Sequence, residues 1–321
     1  MLKLLRRKNP CTLLGIDITS TAVNIIELSH QQAQYCVEGY GRALLPDHAV
    51  EAGCIRDLDA VVQAIQRALI EVKSPSKQVV LAVPNAFTIS KIIQMSASLN
   101  DRDMDAWVRL DVEKHTSYSL KDIYLDFEVV SPCAQNPALL DVLIVASRAE
   151  HVNQRVEAVR RAGLMAHIVE IESFAFERAA LAAANIASSK VIFMIDIGIQ
   201  VTNYMVFDGV KIIFSREDTL NGSQLIQAVT DVQDVFFMQV KRAWQFFTST
   251  TPNSILDHII LSGPVSHLPG LARLVQSRLN KPCFIANPLS QMVFSNRVNR
   301  EQIEQDASHL MVACGLALRG A

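Results

Sequence analysis

The sequence lacks an apolar run of the roughly 18 residues that a membrane-spanning helix needs, so we expect no such helix. Its first residues, "MLKLLRRKNP", are basic but contain neither a long apolar segment nor a small-residue cleavage site, which argues against a signal peptide. This segment is either a solvated leader or a tether to anionic lipid. We therefore expect a cytoplasmic protein, peripheral to a membrane if it meets one.

The sequence also lacks the cysteine and histidine patterns that indicate metal or disulfide chemistry. None of the 6 cysteines forms a C-x-x-C pair, and the 8 histidines show no H-x-x-x-H or H-E-x-x-H spacing. Lysine and arginine number 30 against 32 for aspartate and glutamate, so no basic surplus indicates nucleic acid. We expect small buried cysteines, no histidine or cysteine metal site, and no nucleic-acid partner.

Two common nucleotide-binding signatures are missing. There is no G-x-x-x-x-G-K-[ST], which excludes a P-loop, and no G-x-G-x-x-G after a strand, so a dinucleotide-binding fold is not supported.

The composition is that of a globular protein, with 50% hydrophobic and 19% charged residues. A length of 321 residues predicts two domains or lobes rather than one small core.

Residues 85–150 have a pattern of their own within this chain. They read as a strand, a helix in "NDRDMDAWVRLDVEKHT", and two strands joined by the polar loop "SPCAQNPA". This pattern indicates a small inserted subdomain, and we expect Trp107 and Val108 of its helix to lie in its core. Near the end of the chain, Gly315 in "DASHLMVACGLALRG" is expected to let the last helix pack closely against a sheet.

One motif occurs twice. Residues 17–28, "DITSTAVNIIEL", and residues 196–207, "DIGIQVTNYMVF", each read as a strand that ends in aspartate, a short turn and a second strand. Two such hairpins, one from each half, can face each other and present N–H groups and hydroxyls to an anion. The alignment pairs Asp17 with Asp196, Thr19 with Gly198 and, with one gap, Thr21 with Val201 or Thr202.

We interpret the two hairpins as a clamp for the triphosphate tail of a nucleotide. Their hydroxyls and N–H groups would donate to phosphate, and Gly198 permits a close approach of the backbone. Asp17 and Asp196 would hold a hydrated Mg²⁺ through its water shell, because magnesium keeps several of its waters. The alternative is that both stretches are ordinary β-hairpins with aspartate in their turns.

An ordered set of stretches that runs nearly from end to end carries a family resemblance: "GIDITSTAVNIIEL", "WVRLDVEKHTSYSLKDIYLDFEVV", "RRAGLMAHIVEIESFAFERAA", "MIDIGIQVTNYMVFDG", "HIILSGPVSHLPGLARLV" and "ACGLALRG". Together they resemble the actin-like ATPase superfamily and, within it, the PilM family of type IV pilus assembly proteins, with division proteins of the FtsA kind as cousins.

This resemblance implies a two-lobed α/β actin-like fold, a duplicated ribonuclease-H-like architecture with an FtsA-type inserted subdomain. We expect a first lobe from residues 1–84, completed by 151–188 and 307–321, an inserted subdomain from 85–150 and a second lobe from 189–306. Members of the family bind ATP between the lobes. They lie at the cytoplasmic face of the inner membrane, where they hold the N-terminal cytoplasmic tail of the membrane protein PilN.

The resemblance also implies roles for single residues toward ATP and Mg²⁺. Glu172, which would position an attacking water, can equally be a charge that complements the dipole of its helix. The implied nucleotide-binding residues are Asp17, Thr19, Ser20 and Thr21 in the first phosphate loop, Asp196, Gly198 and Thr202 in the second, and Gly222 and Gly263 toward the nucleoside.

Several positions depart from the family pattern. The usual "SGGG" is "SGPV" here, and residues 223–251 contain no glutamate where the family has one near the ribose and base. Ile199 and Gln200 are bulky choices inside a phosphate loop. We therefore expect a degenerate cleft that binds ATP weakly or not at all, with weak or absent ATPase activity.

The partner surface is expected beside the inserted subdomain, along "QVVLAVPNAFTISKIIQM". Strands there can pair with an extended peptide, the tail of a PilN-like protein, with apolar pockets between Val83, Phe87 and Ile89. Self-association stays open. Two alternatives also stay open, namely a sugar-kinase-type phosphotransferase of the same superfamily, for which we find no general base, and an FtsA-like division filament protein.

Overall fold

The computed structural model describes residues 12–31, 34–116, 118–133, 135–184, 191–208, 211–218, 231–250 and 255–321. The strands are β1 (Leu14–Ile18), β2 (Ala22–Gln31), β3 (Gln34–Leu44), β4 (Val50–Glu51), β5 (Cys54–Ile55), β6 (Gln78–Val83), β7 (Thr88–Ser96), β8 (Ile123–Pro132), β9 (Leu139–Arg148), β10 (Met165–Ile171), β11 (Val191–Ile197), β12 (Thr202–Asp208), β13 (Lys211–Asp218), β14 (His258–Ser262), β15 (Cys283–Ile285) and β16 (Val293–Phe294). The helices are α1 (Leu58–Val72), α2 (Asp101–His115), α3 (Ala149–Arg161), α4 (Glu172–Ala184), α5 (Asp231–Thr250), α6 (Leu271–Leu279), α7 (Arg300–Asp306) and α8 (Met311–Leu318).

The first sheet has the strand order β10-β6-β1-β2-β3-β16. β1 and β2 form an antiparallel hairpin, whereas β6 runs parallel to β1 and β10 parallel to β6. Every residue of β1 is buried, because α1 packs on one face of the sheet and α8 on the other. A strand covered on both faces is mostly apolar, which explains the short hydrophobic run "LGI" and makes the buried Asp17 beside the hairpin turn the exception.

The second sheet repeats this plan. Its order is β13-β12-β11-β14-β15, with antiparallel pairing from β13 through β11 and parallel pairing from β11 through β15. The first sheet, taken as β3-β2-β1-β6-β10, shows the same succession of antiparallel and parallel neighbours. The two halves of the chain therefore share one topology, as the repeated motif predicts.

One short strand lies outside the division that we expected for the lobes. Val293–Phe294 pairs in parallel with β3 of the first sheet, although it falls within residues 189–306. The end of α7 lies nearby, because Asp306 accepts hydrogen bonds from the Tyr40 hydroxyl at 2.7 Å and from Arg42 at 2.6 Å. The segment from β16 to the end of α7, which precedes α8 in the sequence, thus also contacts the first sheet.

Residues of the inserted stretch form a separate antiparallel sheet with the order β7-β9-β8, and α2 packs on one of its faces. Its core contains Met104, Val108 and Val112 from one side of α2. Val108 is buried as expected, but Trp107 is 55% exposed, so its predicted place in the core is wrong. Adjacent residues of a helix point in different directions, and only the register of the packing decides which is buried.

The interior of the molecule contains the close contact of α4 with α8. A Cβ atom at Gly315 would overlap the carbonyl oxygen of Ala175 in α4, and one at Gly15 would overlap the carbonyl oxygen of Ala313 in α8. Gly315 thus serves close packing, although against a helix rather than a sheet. Within the described part of the chain, no helix combines the length and the apolar character needed to cross a membrane.

Candidate functional site

The first hairpin places Asp17 opposite Asn24 in the β1–β2 register. Its turn is closed by its own atoms. The Thr19 N–H donates to the Ala22 carbonyl at 3.0 Å, and the Thr19 hydroxyl donates to the same carbonyl at 2.9 Å. The hydroxyl oxygen also accepts from the N–H groups of Thr21 at 3.2 Å and Ala22 at 3.0 Å. These donors are therefore already bonded within the turn.

The second hairpin has the same backbone. Asp196 lies opposite Asn203, and the Gly198 N–H donates to the Val201 carbonyl at 3.0 Å, as Thr19 does to Ala22 in the first hairpin. Glycine provides no hydroxyl, so the N–H groups that follow have no partner equivalent to the Thr19 side chain. A Cβ at Gly198 would lie 2.7 Å from the Val201 oxygen, so there is no room for a side chain at this position.

This register corrects the expected alignment of the two hairpins. The pairs Ile18 with Val23 and Ile197 with Thr202 are equivalent, so no gap is needed. Thr21 corresponds to Gln200, not to Val201 or Thr202. Thr202 is fully buried within β12, which leaves its hydroxyl inside the protein rather than at the turn.

The two turns line one cleft, with a cavity volume of about 200 Å³. The cleft brings together most of the residues that the sequence singles out. Thr202 does not line it, and Gly222 lies outside the described residues. The predicted residues found along its wall are Asp17, Thr19, Ser20, Thr21, Glu172, Asp196, Gly198 and Gly263.

The acidic residues of the cleft are costly to ionise. Burial raises the pKa of Asp17 to about 7, and the charge of Asp196 adds to this, although a hydrogen bond from Asn24 opposes it. Burial, with the charges of Asp17 and Asp196, raises the pKa of Glu172 to about 8. The pKa of Asp196 is also raised by burial, against hydrogen bonds from Ser262 and Asn203. The three carboxyl groups thus share one poorly solvated space and oppose each other's ionisation.

A metal ion ligated directly by the protein has little support in this arrangement. Among the described residues, no group of three or more histidine, cysteine, aspartate or glutamate side chains could hold a metal ion. Asp17 and Asp196 do lie close enough to influence each other's ionisation. Their fit to magnesium is therefore to a hydrated ion held through water, which is the way Mg²⁺ often binds.

Gly263 lies at the wall of the cleft for a reason of packing. It has a φ of 84°, and a Cβ there would lie 2.6 Å from the Ile197 carbonyl oxygen. Its N–H donates to the Ser308 carbonyl at 2.9 Å. The loop after β14 is thereby held against the end of β11, with Pro264 also lining the cleft. Pro264 therefore lies where a flexible glycine is usual in the family pattern.

The structure also brings in residues that sequence reasoning missed. Asn24 and Asn203 support the two aspartates, and their signal was present, because they follow those aspartates at the same spacing in "DITSTAVN" and "DIGIQVTN". Arg155 from α3 lines the cleft and is only 1% exposed. No local pattern marks it, since an arginine in a polar helix is normally a surface residue.

The three residues expected at a peptide groove have different environments. Val83 is 2% exposed, so its side chain is part of the first-lobe core and cannot form the wall of an open groove. Phe87 is half-buried and stacks on the His151 ring, with 3.7 Å between centroids. Ile89 is 37% exposed at the start of β7. Two of the three residues thus remain near the surface, at the junction between the inserted sheet and α3.

Comparison with known proteins gives a consistent result. A family model described as type IV pilus assembly protein PilM matches residues 15–237 and 232–321. The solved structure of a PilM–PilN type IV pilus biogenesis complex is similar to this chain with a TM-score of 0.80 at 24% identity, over 97% of this chain and 99% of that one.

Two more distant structures share the fold. Ethanolamine utilization protein EutJ from Carboxydothermus hydrogenoformans matches with a TM-score of 0.54 at 13% identity, over 96% of this chain and 90% of that one. A protein with an actin-like ATPase fold from Bacteroides thetaiotaomicron matches with a TM-score of 0.50 at 9% identity, over 89% and 93%. The predicted two-lobed actin-like fold is thereby confirmed.

Proposed function

The chain belongs to the PilM family of type IV pilus assembly proteins, and we propose that it is a cytoplasmic scaffold at the inner face of the inner membrane that binds the N-terminal tail of a PilN-like protein. The observation that carries this proposal is the family match, which extends over nearly the whole chain. The likeness to a protein solved in a PilM–PilN complex supports the choice of partner.

The docking surface of this proposal lies at the junction of the inserted sheet with the first lobe. β7 is an edge strand of that sheet, and an edge strand offers unpaired backbone groups to an extended peptide. Phe87 and Ile89 lie at its start and would contact the side chains of the peptide. The buried Val83 is left out of this surface. We keep residues 85–150 as the inserted subdomain and the remaining chain as two lobes.

The cleft between the hairpins is proposed as a degenerate ATP site. Asp17 and Asp196 are the residues that would hold a hydrated magnesium, which would neutralise phosphate charge when bound. The closed turn at Thr19 leaves few free donors in the first loop. At neutral pH the raised pKa of Glu172, about 8, keeps most of this carboxyl protonated, so it is poorly suited to accept a proton from water. We therefore assign the cleft weak binding and little hydrolysis.

The test is calorimetry with a peptide of the cytoplasmic tail of a PilN-like protein, first alone and then with Mg-ATP. We expect moderate affinity, because an extended peptide must become ordered when it binds. We also expect the affinity to be the same with and without nucleotide. Ile89→Asp should weaken binding by about tenfold or more, since it places a charge beside the edge strand. Ile70→Asp on α1, which is 73% exposed, is the matched control and should bind normally.

Phe87→Asp is a second variant at this surface, with circular dichroism as the check on folding because Phe87 packs on His151. A folded wild-type protein that ignores the peptide would overturn the scaffold proposal and restore the phosphotransferase alternative. Normal binding by a folded Ile89→Asp protein would instead show that the peptide binds to a different surface of the protein.

A further inference from the structure

Arg155 is a buried cation inside the cleft. It lies on α3, is 1% exposed and lines the same cavity as the two turns. Its Nη2 donates to the Gly53 carbonyl at 2.7 Å, and its Nη1 donates to the His151 carbonyl at 3.3 Å. Both acceptors are neutral, so the hydrogen bonds that hold the guanidinium do not neutralise its charge.

The carboxylates of the cleft act on Arg155 only from a distance. Glu172 and Asp17 favour its charged form, yet among the described residues no carboxylate lies within ion-pair distance of it. A buried charge without a direct counter-ion is costly, and a guanidinium has more N–H donors than two carbonyls can use. The side chain therefore retains both charge and donors at the cavity wall.

Other arginines of α3 show that this is a special position. Arg160 forms a two-point pair with Glu157 at 2.7 Å, and Arg161 pairs with Asp59. Both are far more exposed than Arg155. The helix thus pairs its surface arginines with carboxylates, where such pairs add little, and leaves the buried arginine held only by carbonyls.

We propose that Arg155 is the fixed cation of the cleft and that it binds the phosphate groups of a nucleoside di- or triphosphate without a divalent metal. Planar guanidinium groups match phosphate oxygens in two-point hydrogen bonds, and a buried one does so without competition from water. The backbone N–H groups that follow Gly198, in a turn that lines the same cavity, supply further donors. This inference rests on the proposed nucleotide cleft and makes Mg²⁺ dispensable for binding there.

The test is displacement of a fluorescent ATP analogue from the full chain by ATP, ADP and pyrophosphate, in EDTA and then in Mg²⁺. We expect wild-type affinities in the two conditions to agree within about threefold. Arg155→Met should weaken binding in EDTA by about tenfold or more, and Arg155→Lys should fall between, because it keeps the charge but loses the fork. Arg160→Met on the same helix is the matched control and should bind as wild type does.

Each result separates this inference from the scaffold proposal. Binding by wild type that requires Mg²⁺ overturns the role of Arg155, and this measurement needs no variant that could misfold. Equal affinity of folded Arg155→Met and wild type in EDTA overturns it as well. If nothing displaces the analogue, or the analogue does not bind, while the tail peptide still binds, the nucleotide site falls and the scaffold role stands.

Discussion

The two hairpins share their backbone and differ in how their polar groups are used. Each places an aspartate opposite an asparagine, and each closes its turn with a backbone hydrogen bond of 3.0 Å. In the first, the Thr19 hydroxyl oxygen then accepts hydrogen bonds from the N–H groups of Thr21 and Ala22. In the second, Gly198 has no side chain, so the equivalent N–H groups of Gln200 and Val201 lack a partner of this kind. The comparison shows that the same backbone can have its turn closed by a side chain at one copy and lack that side chain at the other.

The two aspartates differ in a related way. Asp17 is 7% exposed and its charged form is supported by a hydrogen bond from Asn24, whereas Asp196 accepts from both Asn203 and the Ser262 hydroxyl, the latter at 2.8 Å. Hydrogen bonds to a carboxylate favour its ionised form. The charge of Asp196 is therefore supported by two side-chain hydrogen bonds, whereas the charge of Asp17 is supported by one and, from a greater distance, by the Arg155 guanidinium.

The largest expected effect is a pH-dependent change in the free energy of unfolding, and it tests the difference between Asp17 and Asp196. The pKa of Asp17 is raised from 3.8 to about 7 in the folded protein, so the folded state keeps a proton that the unfolded chain loses. Stability from this group is therefore highest at low pH and falls as pH rises from about 4 to 7. Asp17→Asn removes the loss and should stabilise the protein by about 2 to 4 kcal/mol at about pH 8, with no gain at about pH 4.

Chemical denaturation at both pH values measures this effect. Asp196→Asn should give a smaller gain with the same sign, because Ser262 and Asn203 already support its charge. Asp47→Asn, at an exposed position, is the matched control and should leave stability nearly unchanged at either pH. A larger gain for Asp196→Asn than for Asp17→Asn would reverse the comparison.

An intermediate effect is expected from making the first turn resemble the second. Thr19→Gly removes a hydroxyl that bonds three backbone groups and adds flexibility to the unfolded chain, so we expect a loss of about 1 to 2 kcal/mol. It should also expose the turn N–H groups and raise affinity for pyrophosphate. Denaturation and displacement of a fluorescent ATP analogue measure the two changes.

The companion variant, Gly198→Ala, adds a Cβ atom to the second turn. A Cβ there would lie 2.7 Å from the Val201 oxygen, so the turn must shift, and phosphate binding should weaken without any gain in stability. If Thr19→Gly leaves both stability and pyrophosphate affinity unchanged, then the hydroxyl does not close the first turn in solution and the two hairpins are equivalent.

The sequence predicts the architecture well because the fold is repeated. Short apolar strands with polar turns, and a motif present twice, give the hairpins and their encounter at a cleft. The sequence also contains the signal for Asn24 and Asn203, because each follows the aspartate of its hairpin at the same spacing. The alignment itself failed at Thr202, because the gap we allowed placed a buried strand residue at the turn.

Other features depend on contacts that no local pattern records. Arg155 enters the cleft because α3 follows the inserted sheet and packs beside the β4–β5 turn, so its carbonyl partner Gly53 is far away in sequence. Val293–Phe294 is too short to read as a strand and joins the first sheet only through β3. Val83 looked available beside a proline, but its strand is covered by neighbouring elements. Burial of this kind is set by tertiary packing rather than by propensity.

The smallest expected effect concerns the position where the turns carry Thr21 and Gln200. The Gln200 side chain accepts a hydrogen bond of 2.6 Å from the Ala52 N–H, which connects the second hairpin to the β4–β5 turn of the first half. Ala52 has a φ of 45°, a conformation that a residue with a side chain adopts at some cost, so the bond helps to hold a strained turn. The bond is nevertheless exposed, and water can replace it. Gln200→Thr, which copies the first hairpin, should therefore cost less than about 1 kcal/mol in chemical denaturation, with Ala52→Gly as the companion variant that relieves the strain. A loss above about 2 kcal/mol would mean that this single side chain holds the two halves of the molecule together, and the second hairpin would then differ from the first in joining the lobes rather than in its free donors.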